Sequence, residues 1–103
     1  MVRATVVYQY SDGKRFDTEY YTQKHLPLVR ELLGDMLKGM AVERGLSGAG
    51  PHTDPLFVVL SQFDFDTFDD LQEALATRGP ALMADRPNFT DITPVIQVSE
   101  VLV

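Results

Sequence analysis

Cysteine is missing from all 103 residues. That excludes disulfides, thiolate metal sites and thiol nucleophiles, and it fits a reducing compartment. Histidine occurs only twice. With Asp54 the only carboxylate near His52, no metal-ligand spacing emerges, and no metal is expected. Basic residues are scarce too, 9 against 15 acidic, for a formal charge of −6. Such a surface repels nucleic acid and anionic membranes, and no basic stripe offsets this. No apolar run approaches the roughly 18 residues that a bilayer span requires. The opening MVRATVVYQY alternates too strictly for the apolar stretch of a signal peptide. A cytoplasmic protein without nucleic-acid or membrane partners is expected.

What the chain does hold is 45% hydrophobic residues, enough for a packed core in one domain over 1–103. Residues 2–10 alternate as a strand, with Val2, Ala4, Val6, Tyr8 and Tyr10 on one side, and Ser11-Asp12-Gly13 ends it. A helix runs from an Asp17 N-cap to Leu33, where Gly34 supplies the stop. Residues 37–46 predict a second, weaker strand, 47–55 a Gly/Pro-rich loop, and 56–65 (LFVVLSQFDF) the strongest strand. Asp66 stands where it would cap a second helix with Phe68, Leu71 and Leu75 on its inner face. Gly79-Pro80 ends that helix. A helical turn and an irregular stretch over 81–92 lead to the last strand, TPVIQVSEVLV. The acids between Asp64 and Glu73 sit at a helix N-terminus and read as a solvated face, without the spacing or glycine turn of a calcium loop.

The order βαββαβ is the ferredoxin-like α+β arrangement: a four-stranded antiparallel sheet with two helices on one face. The opposite face should then be polar, yet in 56–65 both alternating sets are largely apolar, and so is the last strand. At about 25 cal/mol per Å², leaving such a face wet costs several kcal/mol in a small, marginally stable domain. A second copy packed sheet to sheet, as a two-fold homodimer, is the expected remedy.

The stretch YYTQKHLPLV sets the functional question. Counting helically from Tyr21 reaches His25, Leu28, Val29 and Leu32, so an ionisable ring falls on the apolar stripe. A core histidine bonded to a carbonyl is the ordinary reading. Two features favour a ligand cavity instead. Tyr21 lies one turn away on the same stripe. Pro27 removes the N–H that the Gln23 carbonyl needs, which should bend the helix and open space beside His25. Tyr20 points about 100° from Tyr21 and competes for the stripe if the helix start shifts by a residue. His52, in the 47–55 loop, is a solvated histidine unless a partner subunit brings that loop over a pocket mouth. In RPNFTDITP, Phe89 either plugs the sheet edge or rims a pocket. Asn88 and Asp91 either shape a turn or offer hydrogen bonds there. The candidate set is thus a catalytic His25 with Tyr8, Tyr20, Tyr21, His52, Asn88, Phe89 and Asp91 around the ligand.

YYTQKHLPLV is similar to the tyrosine-rich His-x-Pro-Leu helix of the EthD-like family. ADRPNFTDITPVIQVSEV resembles that family's Asn-Phe-Thr-Asp-x-x-Pro segment and final strand, and FDFDTFDDLQEAL is alike as well. The resemblance covers nearly the whole chain and implies a dimeric α+β barrel. It also implies a small hydrophobic or aromatic ligand between sheet and helices, with His25 in the cavity and no cofactor. The wider group includes isomerases, cyclases, oxygenases and proteins that accompany ether-degrading monooxygenases. The lack of cysteine argues against a thiol-using lactone isomerase, and the lack of tryptophan and of an axial-ligand arrangement against haem degradation.

The expected activity is therefore a cofactor-independent small-molecule enzyme of oxidoreductase or isomerase/cyclase type. A non-catalytic carrier or accessory subunit of a monooxygenase pathway is the alternative. The sheet argument carries its own test. Light scattering at micromolar concentration is expected to give twice the 11.5 kDa chain mass, and a monomer mass would refute the pairing.

Overall fold

The computed structural model describes residues 1–103. Strand β1 (Val2–Gln9) lies at the centre, between β3 (Phe57–Phe65) and β4 (Val95–Glu100), and β2 (Gly39–Arg44) flanks β3. All three pairings are antiparallel, in the order β2-β3-β1-β4. This is the ferredoxin-like arrangement that the alternating segments predict. Helix α1 has three consecutive parts, Thr18–Tyr20, a π-helical turn Tyr21–His25, and Leu26–Leu33. Helices α2 (Phe68–Thr77) and α3 (Gly79–Asp85) complete the helical layer.

Local chemistry explains the boundaries. The Asp17 side chain accepts from the Tyr20 N–H at 3.0 Å, the cap expected of it. Gly34 ends α1 at φ 53°, a left-handed conformation that favours glycine. Pro27 has no N–H to give the Gln23 carbonyl, and the ladder widens in the turn just before it: the Leu26 N–H bonds the Tyr21 carbonyl, five residues back. The disturbance expected at Pro27 thus takes the form of a π turn.

At α2 the expected cap is displaced. Thr67, not Asp66, is the N-cap, with its hydroxyl accepting from the Asp70 N–H at 3.1 Å. Asp66, one residue too early to reach that N–H, lies 3.9 Å from Lys38 instead. The inner face is corrected as well. Leu71 is buried and Leu75, though 38% exposed, borders the space between helix and sheet as expected, whereas Phe68 is 54% exposed and Ala74 takes the inner position instead.

The core lies between sheet and helices. Ala4, Val6 and Tyr8 of β1 face Phe63, Ser61 and Val59 of β3 across the ladder. On the other side of the sheet the expectation of a greasy surface holds only at one end. There Val7, Leu60 and Val95 form an apolar row, with Glu43 at its β2 end. The next row is Thr5, Gln62, Gln97 and Ala41, and beyond it Arg3 pairs with Asp64 at 2.7 Å. A bulge between Tyr8 and Gln9 leaves Val58 outside the regular pairing.

The cap assignment is open to a direct check. Thr67→Ala is expected to cost about 1 kcal/mol, or roughly 4–8 °C in melting temperature. Asp66→Ala should change it by about a degree at most, since an exposed ion pair contributes little. Equal losses for the two variants in thermal unfolding would contradict the structure.

Candidate functional site

The site begins with the two rings that the π turn sets side by side. The Tyr21 and His25 rings stack with centroids 5.2 Å apart and planes 20° from parallel. Both residues are buried. The Tyr21 hydroxyl lies 2.6 Å from Ser61 Oγ, which anchors the helix to the middle of β3. Burial raises the Tyr21 pKa, and the Ser61 bond works against that shift.

The second half of the site arrives from the far end of the chain. Arg86–Asn88 form a single 3₁₀ turn after α3, and the segment that follows is laced to the residues preceding α1. The Asp17 N–H donates to the Phe89 carbonyl at 2.7 Å, and Thr90 Oγ1 donates to the Arg15 carbonyl at 2.6 Å. The Arg15 N–H donates to Asp91 Oδ1 at 2.8 Å, and its guanidinium to the Pro87 carbonyl at 2.7 Å. Phe89, fully buried, is thereby pressed against the imidazole with centroids 4.6 Å apart. Asp85, the last residue of α3, lies behind it.

Asp85 is the junction of the polar network. Its Oδ2 is 2.9 Å from His25 Nδ1, and its Oδ1 accepts from the Tyr20 hydroxyl at 2.8 Å and from Asn88 Nδ2 at 2.9 Å. Partial burial pushes its pKa up. Bonds from Asn88, His25 and Tyr20 outweigh that, holding the carboxyl below its ordinary value and hence ionised at neutral pH. A carboxylate only accepts, so the proton between the two groups rests on Nδ1. His25 Nε2 has no protein partner, yet it is not among buried atoms sealed from contact.

His25 borders a cavity of about 410 Å³ between the helix-facing side of the sheet and all three helices. Fourteen of its nineteen lining residues are hydrophobic, which suits an apolar guest. Apart from the tyrosines, His25 and Arg86 are the only ionisable residues on the wall. Tyr8 forms part of the floor and meets Tyr21 and Phe89 edge-on. Burial drives its phenol pKa far upward, and the neighbouring Tyr21 adds to that, so Tyr8 stays a proton donor. No group of three His, Asp or Glu side chains is gathered as a metal cage.

Of the residues singled out from the sequence, Tyr8, Tyr21, His25 and Phe89 converge on the cavity. Tyr20 and Asn88 do not line it but hold Asp85 from behind. Asp91 is exposed and caps the Arg15 N–H, which is the main reason its pKa is lowered. His52 is exposed, at φ 63°, in the 47–55 loop, and within this chain it does not reach the cavity. Asp85, Ser61 and Arg86 were not foreseen. Ser61 had a signal: it is the one hydroxyl among Phe57, Val59, Phe63 and Phe65 on alternate positions. Asp85 had none that links it to a histidine sixty residues away.

Comparison with known proteins follows this geometry. An EthD-like protein of Ralstonia eutropha JMP134 is 37% identical, with 99% of this chain and 92% of that one covered and a TM-score of 0.94. An ethyl tert-butyl ether D (EthD) family protein of Bacillus halodurans C-125 is 25% identical, covers 99% of both chains and gives 0.76. A dimeric ferredoxin-like protein of unknown function from Thermobifida fusca YX shares the fold alone, at 14% identity, 97% and 90% coverage and 0.62. No curated protein matches the chain. The model of the EthD domain matches residues 13–93, more than half of the chain, and the protein therefore belongs to the EthD family.

Proposed function

We propose that the protein binds a small apolar or aromatic molecule in the 410 Å³ cavity and moves a proton to or from it through His25. One observation carries the reading. Nδ1 is engaged by an ionised Asp85, while the ring borders an apolar cavity and its Nε2 has no protein partner. With the ring neutral, Nε2 is a base; with the ring protonated, it is an acid. A positioned imidazole of this kind contributes about 10²–10⁴-fold in rate. Asp85 is a positioning residue: it fixes the tautomer and balances the charge the ring gains. Proton abstraction is the step shared by isomerisation, cyclisation and cofactor-independent oxidation, so the reading requires no cofactor. The dimeric Thermobifida fusca relative and the apolar row at Val7, Leu60 and Val95 support a homodimer. No helix is long and apolar enough to cross a membrane.

Native mass spectrometry of gently purified protein is expected to reveal a co-purified small molecule. On that compound His25→Ala should lose about 10²–10⁴-fold in turnover with binding little changed and a folded protein whose melting temperature falls only by several degrees. Asp85→Asn should lower kcat with KM nearly constant and shift the pH profile of kcat. Full turnover in His25→Ala would leave a carrier, and collapse of its melting temperature would leave a core histidine.

Acid should unfold the protein through the same network. Asp85 and Asp91 both have lowered pKa values in the folded state. Their stabilisation is complete above the ordinary carboxylate value of about 3.9 and is lost as the pH falls through the lower, folded value. Melting temperature should therefore be level from about pH 5 to 7 and drop below about pH 4. Asp85→Asn should make that drop shallower, Asp91 accounting for the remainder. An unchanged acid limb would show that Asp85 is not held as described.

A further inference from the structure

Arg86 has no counterpart in the proton-transfer scheme. It lines the cavity, yet no carboxylate comes within ion-pair distance of its guanidinium, and its side chain makes no hydrogen bond. Arg3 is engaged by Asp64 and Arg15 by the Pro87 carbonyl, while Arg30, Arg44 and Arg78, also without a side-chain partner, are exposed; Arg86 is half-buried. The acid adjacent in sequence, Asp85, is already committed to His25, Tyr20 and Asn88. A guanidinium left unneutralised beside an apolar wall is poorly solvated on that side, and an anionic oxygen in the cavity would complete it with a charge-assisted, two-pronged bond.

We propose that Arg86 is an anion subsite of the cavity, and that the ligand joins an apolar or aromatic body to one acidic oxygen group, such as a carboxylate. The inference rests on the cavity reading above and adds the charge of the ligand to it. The rest of the wall does not compete for an anion: no carboxylate lines the cavity, and the Tyr8 phenol there is kept protonated by burial. The seat also directs the chemistry. An acidic head held by Arg86 fixes the apolar body along the remaining wall, with His25 Nε2 facing it. In a chain of net charge −6, such a cationic spot in an apolar recess would be selective, because most of the surface repels anions.

Two dyes with one skeleton test this. 8-Anilinonaphthalene-1-sulfonate and N-phenyl-1-naphthylamine share the same aromatic body, and only the first has an anionic oxygen group. Fluorescence titration of the wild-type protein should show the sulfonate bound about tenfold or more tightly than the neutral dye, each displacing the other. Arg86→Gln should abolish that preference by weakening the sulfonate about tenfold while the neutral dye is unaffected. Arg86→Lys should fall between. Should Arg86→Gln not fold, raising ionic strength on the wild type must weaken the sulfonate and spare the neutral dye. If the neutral dye binds but the sulfonate has no advantage, or if Arg86→Gln weakens both alike, the anion subsite is wrong and the cavity stands. If neither dye binds, the cavity reading falls, and the subsite with it.

Discussion

The site depends on a lacing of two segments some seventy residues apart. Arg15 and Asp17, just before the first helix, bond to Pro87, Phe89, Thr90 and Asp91, just before the last strand. Neither segment is a strand or a helix of any length, so neither has a ladder of its own to satisfy its backbone. Each supplies the other's partners instead. The consequence is geometric: the start of α1 and the end of α3 are held together, and the imidazole of one meets the carboxylate of the other. Loosening that lacing would part His25 from both Asp85 and Phe89 without altering any of the three side chains.

Within this frame the polar groups are shared sparingly. Asp85 has three donors for its two oxygens, and the Tyr21 hydroxyl and Ser61 Oγ satisfy each other, so no sealed side-chain polar atom lacks a partner. Buried polar networks hold only when every member is served. On the cavity wall two groups lack a protein partner, His25 Nε2 and the Arg86 guanidinium. A satisfied interior beside a mostly apolar hollow with few polar groups is what the proposed ligand site rests on.

Much of the fold was legible because it rests on local rules. Alternation marked β1, a long apolar run marked β3, Asp17 and Gly34 marked the limits of α1, and the βαββαβ order with right-handed crossovers left one sheet topology. Errors arose where two local rules competed. Asp66 and Thr67 are both good caps, and only the direction of the chain after β3 decides between them. The second sheet face looked apolar because Val58, Leu60 and Val95 were given more weight than Gln62, Asp64 and Gln97, and Val58 falls at a bulge outside the regular pairing. At the site, spacing within one helix found Tyr21 and His25. It could not find Asp85 or Arg86, because their proximity to His25 is set by the lacing, which no periodicity encodes.

The widened turn in α1 has a further consequence for how the rings are held. A helix with one surplus residue in a turn is underwound at that point, and in principle the surplus can migrate along the axis as each carbonyl exchanges a fifth-neighbour donor for a fourth. Here migration toward the C-terminus would need an amide proton from Pro27, which has none. Toward the N-terminus it would run into the Asp17 cap within a single turn. The defect is trapped, and the stacked phenol and imidazole form a stationary pair rather than one frame of a sliding helix.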